Sequence, residues 1–344
     1  MSQILITGGA GFVGCNAARR FMERGDRVVL VDDLSRKGTE LNLAWLREQG
    51  DFEFIEADIR DAEAMRRAIG GHRSLDAVLH LAAQVAVTTS VADPRGDFEI
   101  NALGTLNLLE AVREAPCDPI VIYASTNKVY GGMEEVAVEE RNGRYAYRDL
   151  RSGVPEEQPL DFHSPYGCSK GAADQYVRDY ARIYGMKTVV FRQSCIYGYR
   201  QFGVEDQGWV AWFTIAAVLG KPLVIYGDGK QVRDLLFIDD LVDAYALAID
   251  HPDAVSGEVY NMGGGPENVL SLLDLLGMLG ELNGREVQYS FDEWRPGDQR
   301  VFVCGVRRAA RDLGWTPKVG TAEGVRRLHA WVVENRNLLK KIFS

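Results

Sequence analysis

A tyrosine and a lysine four positions apart in the stretch FHSPYGCSKGAAD could together form a general base. Ser164 and Pro165 are typical of a helix cap and a first helical turn, so Tyr166 and Lys170 are predicted to lie on one helix face. An ordinary tyrosine has a pKa of about 10, and a fixed ammonium beside it favours the phenolate. Such a pair can remove a proton from an alcohol or a sugar hydroxyl. A buried tyrosine beside a lysine that extends to solvent would be the default explanation of this spacing alone.

A hydroxyl that hydrogen-bonds the same reacting oxygen is predicted at the end of a buried strand. The run IVIYAS ends at Ser125, next to Thr126, and the carboxyl end of a strand in a parallel sheet reaches the ligand crevice. Thr126 is the first candidate for this hydrogen bond and Ser125 is the second. Simple capping at the strand end is the alternative for both.

A glycine-rich turn, ITGGAGFVG, predicts a phosphate-binding loop. Gly8, Gly11 and Gly14 follow the first predicted strand and open the first predicted helix. A tight turn, a close approach of the backbone to a pyrophosphate, and close packing of helix on sheet each exclude a side chain. The free N–H groups at the helix start then bind the phosphates. A tight turn without a ligand is the alternative.

Carboxylates at the ends of the next two strands are predicted to bind the adenosine half of a dinucleotide. Asp32 lies 18 residues after Gly14, close to the spacing of about 20 that is typical of a ribose-binding carboxylate. A carboxylate there repels a 2′-phosphate and favours NAD over NADP, although Arg36 and Lys37 could accept that phosphate. Asp58 ends the following strand, where it could bind the adenine amino group or cap a helix.

Alternating strands and helices position these groups. Six short β-branched runs, from QILIT to KTVVFR, alternate with segments whose apolar residues recur at helical spacing. They predict an α/β fold: a Rossmann-type doubly wound parallel sheet with a smaller, interleaved C-terminal substrate domain. We expect residues 1–192 plus about 235–264 to form the dinucleotide-binding domain, and about 193–234 plus 265–344 the substrate domain. The charged segment 131–164 is predicted to be a lid, with a plain surface loop as the alternative.

The composition argues against several other classes of protein. The chain has 344 residues, of which 46% are hydrophobic, and this is enough for large buried cores. Its 39 basic and 49 acidic residues give a formal net charge of −10, which disfavours nucleic acid and anionic membranes as partners. Five cysteines without a CxxC pair predict neither disulfides nor a metal site, so we expect a reducing cytoplasm. The start, MSQILITGG, lacks the features of a signal peptide, and the apolar stretch at 209–220 predicts a buried helix.

The combined motifs resemble the extended branch of the short-chain dehydrogenase/reductase superfamily, the NAD-dependent nucleotide-sugar epimerases and dehydratases. The resemblance covers essentially the whole chain. It rests on TGGAGFVG, HLAAQ, NALGTLNLLEA, STNKVYG, SPYGCSK, FRQSCIYG, GDGKQVRDLLFIDD, YNMGGG and RPGDQR. It implies that Thr126, Tyr166 and Lys170 are the catalytic residues, that NAD is the cofactor and that the substrate domain binds a nucleotide sugar.

One departure from the family pattern bears on the reaction. The related 4,6-dehydratases carry an acidic pair after the catalytic threonine, and Asn127 and Lys128 occupy those positions here. Neither side chain can abstract a proton as a carboxylate does, which disfavours dehydration. The motifs look most like those of epimerases that invert C2 of a CDP-hexose through a transient 2-keto sugar, with hydride removal and return at NAD. The alternatives are a UDP-sugar 4-epimerase, another GDP- or UDP-sugar 2-epimerase, a net dehydrogenase, and a non-catalytic NAD-binding regulatory protein.

Cofactor-binding residues are expected along the glycine loop, at the ends of the central strands and on the catalytic helix. The resemblance implies the set Gly8, Gly11, Phe12, Val13, Gly14, Asp32, Ser35, Arg36, Asp58, Ile59, Leu81, Ala82, Gln84, Asn101, Tyr166 and Lys170. Within it, Asn101 is expected to support the catalytic lysine through the cofactor site.

Substrate-binding residues are expected at strand ends and in the second domain. The set is Thr88, Ser90, Thr126, Lys128, Gln193, Trp209, Arg233 and Arg295. Both arginines are expected to bind the nucleotide diphosphate, or else to form surface ion pairs with Asp234 or Asp298. Helix capping is the alternative for the hydroxyls at 88 and 90, core packing for the tryptophan, and a solvent-facing position for the lysine.

The resemblance also implies a homo-oligomer, either a dimer or a tetramer. Relatives often dimerise through two helices packed as a bundle, which are predicted here at residues 98–114 and 171–185. His80 lies within an apolar strand and is expected to be a core histidine with satisfied hydrogen bonds and no catalytic role.

Overall fold

Short strands and helices alternate along the chain, as the sequence predicts. The computed structural model describes residues 1–295 and 299–343. The strands are β1 (Gln3–Thr7), β2 (Arg27–Asp32), β3 (Glu53–Glu56), β4 (Ala77–His80), β5 (Ile120–Thr126), β6 (Val138–Arg141), β7 (Arg144–Tyr147), β8 (Thr188–Gln193), β9 (Cys195–Tyr197), β10 (Leu223–Tyr226), β11 (Val232–Phe237), β12 (Val259–Met262), β13 (Val269–Ser271), β14 (Tyr289–Asp292) and β15 (Val301–Phe302).

The helices cover both faces of the main sheet and fill the C-terminal part. They are α1 (Phe12–Arg24), α2 (Thr39–Arg47), α3 (Ala62–Gly70), α4 (Val87–Ala92), α5 (Pro94–Phe98), α6 (Gly104–Glu114), α7 (Ser164–Tyr184), α8 (Trp209–Leu219), α9 (Ile238–Asp250), α10 (Pro252–Val255), α11 (Leu272–Asn283), α12 (Arg307–Leu313), α13 (Thr321–Glu334) and α14 (Arg336–Phe343). A π-helical turn, Glu99–Leu103, joins α5 to α6, and a 3₁₀ turn, Asn127–Tyr130, follows β5.

Seven strands form a parallel sheet, six of them within residues 3–193 and the seventh, β12, later in the chain. Its strand order is β12–β8–β5–β4–β1–β2–β3, and each neighbouring pair is parallel. The chain winds outward in both directions from β1, so the order reverses between β1 and β4. Ligands of open α/β sheets bind outside the carboxyl ends of the strands at such a switch point. The predicted Rossmann-type α/β fold is therefore confirmed.

Alternate residues of the central strands face two separate helical layers. Ile4 and Ile6 of β1 pack in a core that also contains buried residues of α1, α8 and α9. Leu5, between them, packs in a second core with residues of α3, α6 and α7. Successive side chains of a strand point to opposite faces, and both faces of this sheet are covered, so its central strands are mostly apolar.

A second, smaller sheet is built around β11. This strand is buried along its whole length and pairs with β9 and β15 in parallel and with β13 in antiparallel orientation. The chain leaves the large sheet after β8, contributes to the small sheet, and returns to the large sheet at β12 beside β8. This interleaving accords with the expected domain pattern, and the domain limits themselves stay a prediction.

The segment 131–164 packs against the second sheet. It contains the antiparallel hairpin β6–β7, and Val154 pairs with Cys304 beyond it. The hydroxyl of Tyr147 donates to the carbonyl of Val301 at 3.0 Å. Tyr147 and Val154 are both buried, so this part of the segment does not form a plain surface loop. Its predicted role as a lid stays a prediction.

The apolar stretch at 209–220 forms α8, most of which is buried, as the sequence predicts. Among the residues that the structure describes, no helix combines the length and the apolar character that crossing a membrane requires.

Candidate active site

The glycine loop forms a cradle that side chains would fill. Gly8 has a φ of +67°, and a Cβ on it would lie 2.7 Å from the backbone nitrogen of Ala82. A Cβ on Gly14 would lie 2.2 Å from the carbonyl oxygen of Gly8. Gly11 precedes the first turn of α1, whose N-terminus therefore opens onto the loop. This geometry fits the pyrophosphate of a dinucleotide, because the backbone donors and the helix dipole meet the ligand without a side chain between them.

A methyl group at position 14 should abolish this fit. We expect Gly14→Ala to weaken NAD binding about tenfold or more and to cost about 1–3 kcal/mol of unfolding free energy through overpacking. Calorimetric titration with NAD and urea unfolding would measure the two effects. Gly70→Ala is the matched control, since a Cβ there meets no atom within 4 Å. Normal NAD affinity in Gly14→Ala would contradict the assignment of the loop.

The carboxylate of Asp32 is fixed at the end of β2, beside the glycine loop. It accepts hydrogen bonds from the backbone nitrogens of Ala10 at 3.0 Å and Leu34 at 2.9 Å. Burial raises the pKa of Asp32, and these backbone hydrogen bonds oppose the rise. The carboxylate oxygens keep lone pairs that can accept hydrogen bonds from ribose hydroxyls.

The other residues predicted near the adenosine half, besides Asp32, contact neighbouring residues of this chain. The hydroxyl of Ser35 donates to Asp33 at 2.7 Å, and the carboxylate of Asp58 accepts from the guanidinium of Arg60 at 2.8 Å. Ile59 is buried against Gly104. These three residues lie near the ends of β2 and β3, and their role in cofactor binding stays a prediction.

Arg36 reaches across from the loop after β2 to the catalytic side of the crevice. Its guanidinium donates to the side-chain oxygen of Gln207. Burial lowers the pKa of Arg36, and the proximity of Tyr166 opposes this change. An arginine predicted to contact the adenosine half therefore also faces the predicted base.

The three predicted catalytic side chains share one cavity of about 190 Å³. Thr126 comes from the end of β5, and Tyr166 and Lys170 come from the first two turns of α7. The first turn of α1, the segment after β4 and the end of β8 complete the walls. The lining residues are Phe12, Val13, Leu81, Ala83, Val85, Ala124, Ser125, Thr126, Tyr166, Lys170, Gln193, Ser194, Ile196, Gln201 and Gln207.

Burial dominates the acid–base properties of the catalytic pair. Burial raises the pKa of Tyr166 to about 12, while a hydrogen bond with Thr126 and the charge of Arg36 lower it. Burial lowers the pKa of Lys170 to about 7, and the nearby carboxylates of Asp174 and Asp97 oppose this. The lysine thus loses its proton before the phenol does. The sequence predicts that the ammonium of Lys170 favours the phenolate of Tyr166. Lys170 can have this effect only if nearby groups keep it protonated.

The position of Lys170 is fixed by the strand beneath it. Its Nζ donates to the carbonyl oxygen of Ala124 at 2.7 Å and lies 4.3 Å from the ring centre of Tyr123. Both partners belong to β5, the strand that carries Thr126. Strand and helix therefore hold the hydroxyl, the phenol and the amine in one arrangement.

The two hydroxyls at the end of β5 have different partners. Ser125 donates to the carboxylate of Asp174 at 2.7 Å, whereas Thr126 faces the phenol of Tyr166, whose pKa its hydroxyl lowers. The same threonine oxygen accepts from the backbone nitrogen of Lys128 at 3.2 Å. The geometry favours Thr126, the first of the two candidates.

Asn101 joins the catalytic helix to the segment after β4. Its side-chain nitrogen lies 3.0 Å from the carbonyl of Gln84 and 3.1 Å from the hydroxyl of Ser169, the residue before Lys170. Its side-chain oxygen accepts from the backbone nitrogen of Gln84 at 2.9 Å. Leu81 and Ala82, earlier in the same segment, bind Thr7 through their backbone nitrogens.

Gln193 and Trp209 are placed near the cavity by β8 and α8. The side chain of Gln193 donates to the hydroxyl of Tyr245 at 2.6 Å and lines the cavity. The indole of Trp209 packs edge-on against Phe213, with ring centres 5.9 Å apart, and lies beside Cys195. Trp209 therefore packs partly in the hydrophobic core, which is the alternative given for it from the sequence.

The structure does not bring the two hydroxyls of α4 to the cavity wall. Thr88 is exposed. Ser90 is buried, and its hydroxyl donates to the carbonyl of Val87 at 2.7 Å. Their helix packs against α7, and their contact with substrate stays a prediction.

The two predicted phosphate-binding arginines lie at different sheets: Arg233 belongs to β11 of the second sheet, whereas Arg295 contacts Tyr226 of β10, which pairs with β14 in a separate two-stranded sheet. Arg233 on β11 is buried and donates to the carbonyl of Val232 at 2.8 Å. Arg295 forms an ion pair with Asp206 at 3.0 Å and lies 4.0 Å above the ring of Tyr226.

The aspartates named as alternative partners are placed differently. Asp234 accepts instead from Ser194 at 2.5 Å and from Cys304 at 3.0 Å. Asp298 lies outside the described residues.

Two buried carboxylates, one on the catalytic helix and one beside it, were not predicted from the sequence. Asp174 is paired with the guanidinium of Arg192 at 2.9 and 3.0 Å. Asp97 lies beneath Ser169. Spacing offered a signal for both, because Asp174 is four residues after Lys170 and Asp97 is four residues before Asn101.

His80 is a core histidine, as expected. Its ring nitrogens lie 2.7 Å from the hydroxyl of Thr7 and 3.0 Å from that of Thr105. Burial lowers its pKa to about 3 and keeps it neutral. Among the described residues, no three or more His, Cys, Asp or Glu side chains are grouped so that they could hold a metal ion.

The fold, the glycine cradle and the tyrosine–lysine cavity define a dinucleotide-dependent oxidoreductive site on a Rossmann-type sheet. Residues 4–263 match the model of the NAD dependent epimerase/dehydratase family, and the chain belongs to this family. It is 46% identical to CDP-paratose 2-epimerase of Salmonella typhi over 334 residues, which cover 96% of this chain and 98% of that protein.

Solved structures of the same family superimpose over nearly the whole chain. UDP-glucose 4-epimerase of Thermotoga maritima, solved with UDP-glucose, is 33% identical with a TM-score of 0.84, and covers 98% of this chain and 99% of its own. A dTDP-glucose 4,6-dehydratase of Streptomyces venezuelae, solved with NAD bound, is 29% identical with a TM-score of 0.83, over 99% of both chains. The predicted family, fold and cofactor, NAD, are thereby confirmed.

Proposed function

We propose that this NAD-dependent nucleotide-sugar epimerase inverts C2 of a CDP-hexose. The observation that carries its chemistry is the single cavity shared by Thr126, Tyr166 and Lys170, with the first turn of α1 on its wall. The choice of C2 and of CDP is supported by the 46% identity to a CDP-paratose 2-epimerase across 96% of the chain. The UDP-glucose 4-epimerase at 33% identity makes a UDP-sugar 4-epimerase the second candidate.

The chain's own residues account for the proton transfers. Bound NAD supplies a hydride acceptor and donor for the sugar carbon. Tyr166 takes the proton of the C2 hydroxyl while Thr126 holds the oxygen by a hydrogen bond, and a 2-keto sugar results. Lys170 lies one turn further along α7, and its ammonium charge favours the phenolate form of Tyr166. The sugar then presents its opposite face, and Tyr166 returns the proton, so that only the configuration has changed.

The residues after Thr126 support epimerisation over dehydration. Asn127 and Lys128 begin the 3₁₀ turn at the end of β5. Elimination of water requires a base for a second carbon, and neither an amide nor an ammonium is such a base. Lys128 instead fits a contact with the sugar or a phosphate, next to the catalytic threonine.

The nucleotide diphosphate would be bound on the second-sheet side of the cavity. Arg233 and Arg295 are the proposed phosphate ligands, because guanidinium groups bind phosphates through paired hydrogen bonds. Gln193 lines the cavity and Trp209 lies beside Cys195, and both would contact the sugar. In this proposal, 1–192 with about 235–264 would form the NAD-binding domain, and about 193–234 with 265–344 the nucleotide-sugar-binding domain.

An NMR assay over CDP-, GDP- and UDP-hexoses tests the proposed reaction. Purified protein without added NAD should convert a CDP-hexose to its C2 epimer, with no accumulation of NADH absorbance. Inversion at C4 of a UDP-sugar alone would favour the second candidate. Stoichiometric NADH formation would indicate a net dehydrogenase and would rule out both epimerases.

A homo-oligomer is proposed from an apolar surface on the two helices expected to pair. Phe98, Leu103, Tyr176, Ile183 and Tyr184 are exposed on α7 and on the segment packed against it. Clusters of exposed apolar side chains mark protein interfaces.

The five cysteines, all free, suit a reducing cytoplasm.

A charge in this surface should dissociate the oligomer. Ile183 is 66% exposed, and we expect Ile183→Glu to shift the sedimentation coefficient to that of a monomer. Val333→Glu on α13 is the control, since Val333 is 48% exposed on another helix. An unchanged oligomer in Ile183→Glu, or a monomeric wild-type protein, would refute the proposed interface.

A further inference from the structure

A buried carboxylate joins three segments behind the catalytic lysine. Asp97 is 1% exposed. One carboxylate oxygen accepts from the side-chain nitrogens of Gln84 at 2.8 Å and Asn101 at 3.1 Å. The other accepts from the hydroxyl of Ser169 at 2.5 Å. Because Ser169 directly precedes Lys170, these hydrogen bonds fix the turn of α7 that carries the lysine.

The charge of Asp97 differs from that of the second carboxylate near Lys170. Asp174 forms two hydrogen bonds with the guanidinium of Arg192, so a contacting cation already balances its charge. The donors that contact Asp97 are all neutral groups. Lys170 is the cation whose charge acts on Asp97, and the two groups stabilise each other's charged forms.

We propose that Asp97 is a positioning residue that anchors the catalytic turn of α7 and keeps Lys170 in its ammonium form. The inference rests on the proposed function only in the role given to Lys170. A buried amine readily loses its proton, and a neutral amine cannot stabilise a phenolate beside it. A buried carboxylate that binds Ser169, the residue next to the lysine, and has no contacting cation opposes that loss.

Apart from Asp174, the other ionisable groups near Asp97 and Lys170 do not supply a negative charge that would keep the lysine protonated. His80 and Tyr123 face the lysine from β4 and β5, and burial keeps both neutral. Arg36 faces Tyr166 from the loop after β2 and adds a positive charge. The groups that face the lysine and its partners are Asp97, Asp174, Tyr166, Tyr123, His80, Arg36 and Arg192.

Side-chain NMR of isotopically labelled lysine tests the inference without any substrate. The signal of Lys170 is assigned by its disappearance in Lys170→Met. In Asp97→Asn we expect the pKa of Lys170 to fall by about one unit. Asp97→Glu, which keeps the charge, should titrate close to wild type. Glu99→Gln is the matched control, because Glu99 lies two residues away and pairs with Arg95 near the surface.

An unchanged Lys170 titration in Asp97→Asn would overturn the inference, as would an equal shift in Glu99→Gln. If Asp97→Asn does not fold, the reciprocal measurement decides: Lys170→Met must raise the pKa of the Asp97 carboxyl. A constant Asp97 titration there would overturn the inference. Since the titrations need no nucleotide sugar, a failed epimerase assay with the expected shifts would refute only the proposed function.

Discussion

Replacement of Tyr166 by phenylalanine should reduce turnover by about 10²–10⁴-fold, the usual contribution of a general acid–base group. The variant loses the phenol hydroxyl that lines the cavity beside Thr126. The ring and its packing remain, so NAD and the nucleotide sugar should bind with affinities close to those of wild type. The NMR epimerisation assay measures turnover, and calorimetric titrations measure both affinities.

A second tyrosine on the same helix provides the control. Tyr176 is 50% exposed on α7, and Tyr176→Phe should leave turnover unchanged. A Tyr166→Phe variant with nearly full epimerase activity would show that another group is the base. A variant that loses binding instead of turnover would assign Tyr166 to substrate recognition.

Replacement of Asp174 by asparagine should cause the largest loss of stability. Asp174 and Arg192 form a fully buried ion pair with distances of 2.9 and 3.0 Å. Without the carboxylate, the guanidinium is left buried and charged. Removal of one partner of such a pair costs about 3–5 kcal/mol, and urea unfolding would measure it. Ser125 also loses its acceptor, which should loosen the end of β5.

Two further variants separate this effect from a general loss of charge. Asp179→Asn lies on the exposed side of α7 and should change the unfolding free energy by less than about 0.5 kcal/mol. The double variant Asp174→Leu/Arg192→Met should recover much of the stability, since it leaves no unpaired buried charge. Equal destabilisation by Asp174→Asn and Asp179→Asn would contradict the assigned role of the ion pair.

The fold and the motif positions could be predicted because they depend on local sequence. The strand ending at Asp32 and the helix that follows Ser164 have the predicted bounds to within a residue. The glycine spacing requires close backbone contacts that the structure contains at Gly8 and Gly14. Periodicity and glycine conformation are properties of neighbouring residues, so one sequence is enough to read them.

The electrostatics of the site could not be predicted in the same way. The spacing of Asp97 and Asp174 does not reveal their burial, which results from the packing of α5 on α7 and of α7 on the sheet. The low pKa of Lys170 has the same origin, since burial depends on contacts between distant segments. Arg295 pairs with Asp206, because the loop before α8 approaches it in space.

The most direct test of a transient ketone at the inverted carbon is epimerisation in D₂O, followed by NMR at that position. If Tyr166 exchanges only the hydroxyl proton and the carbon-bound hydrogen returns to the same carbon, the product should carry no deuterium at C2. Deuterium at C2 of the product would mean that the carbon exchanges its hydrogen with solvent, and this would contradict the account.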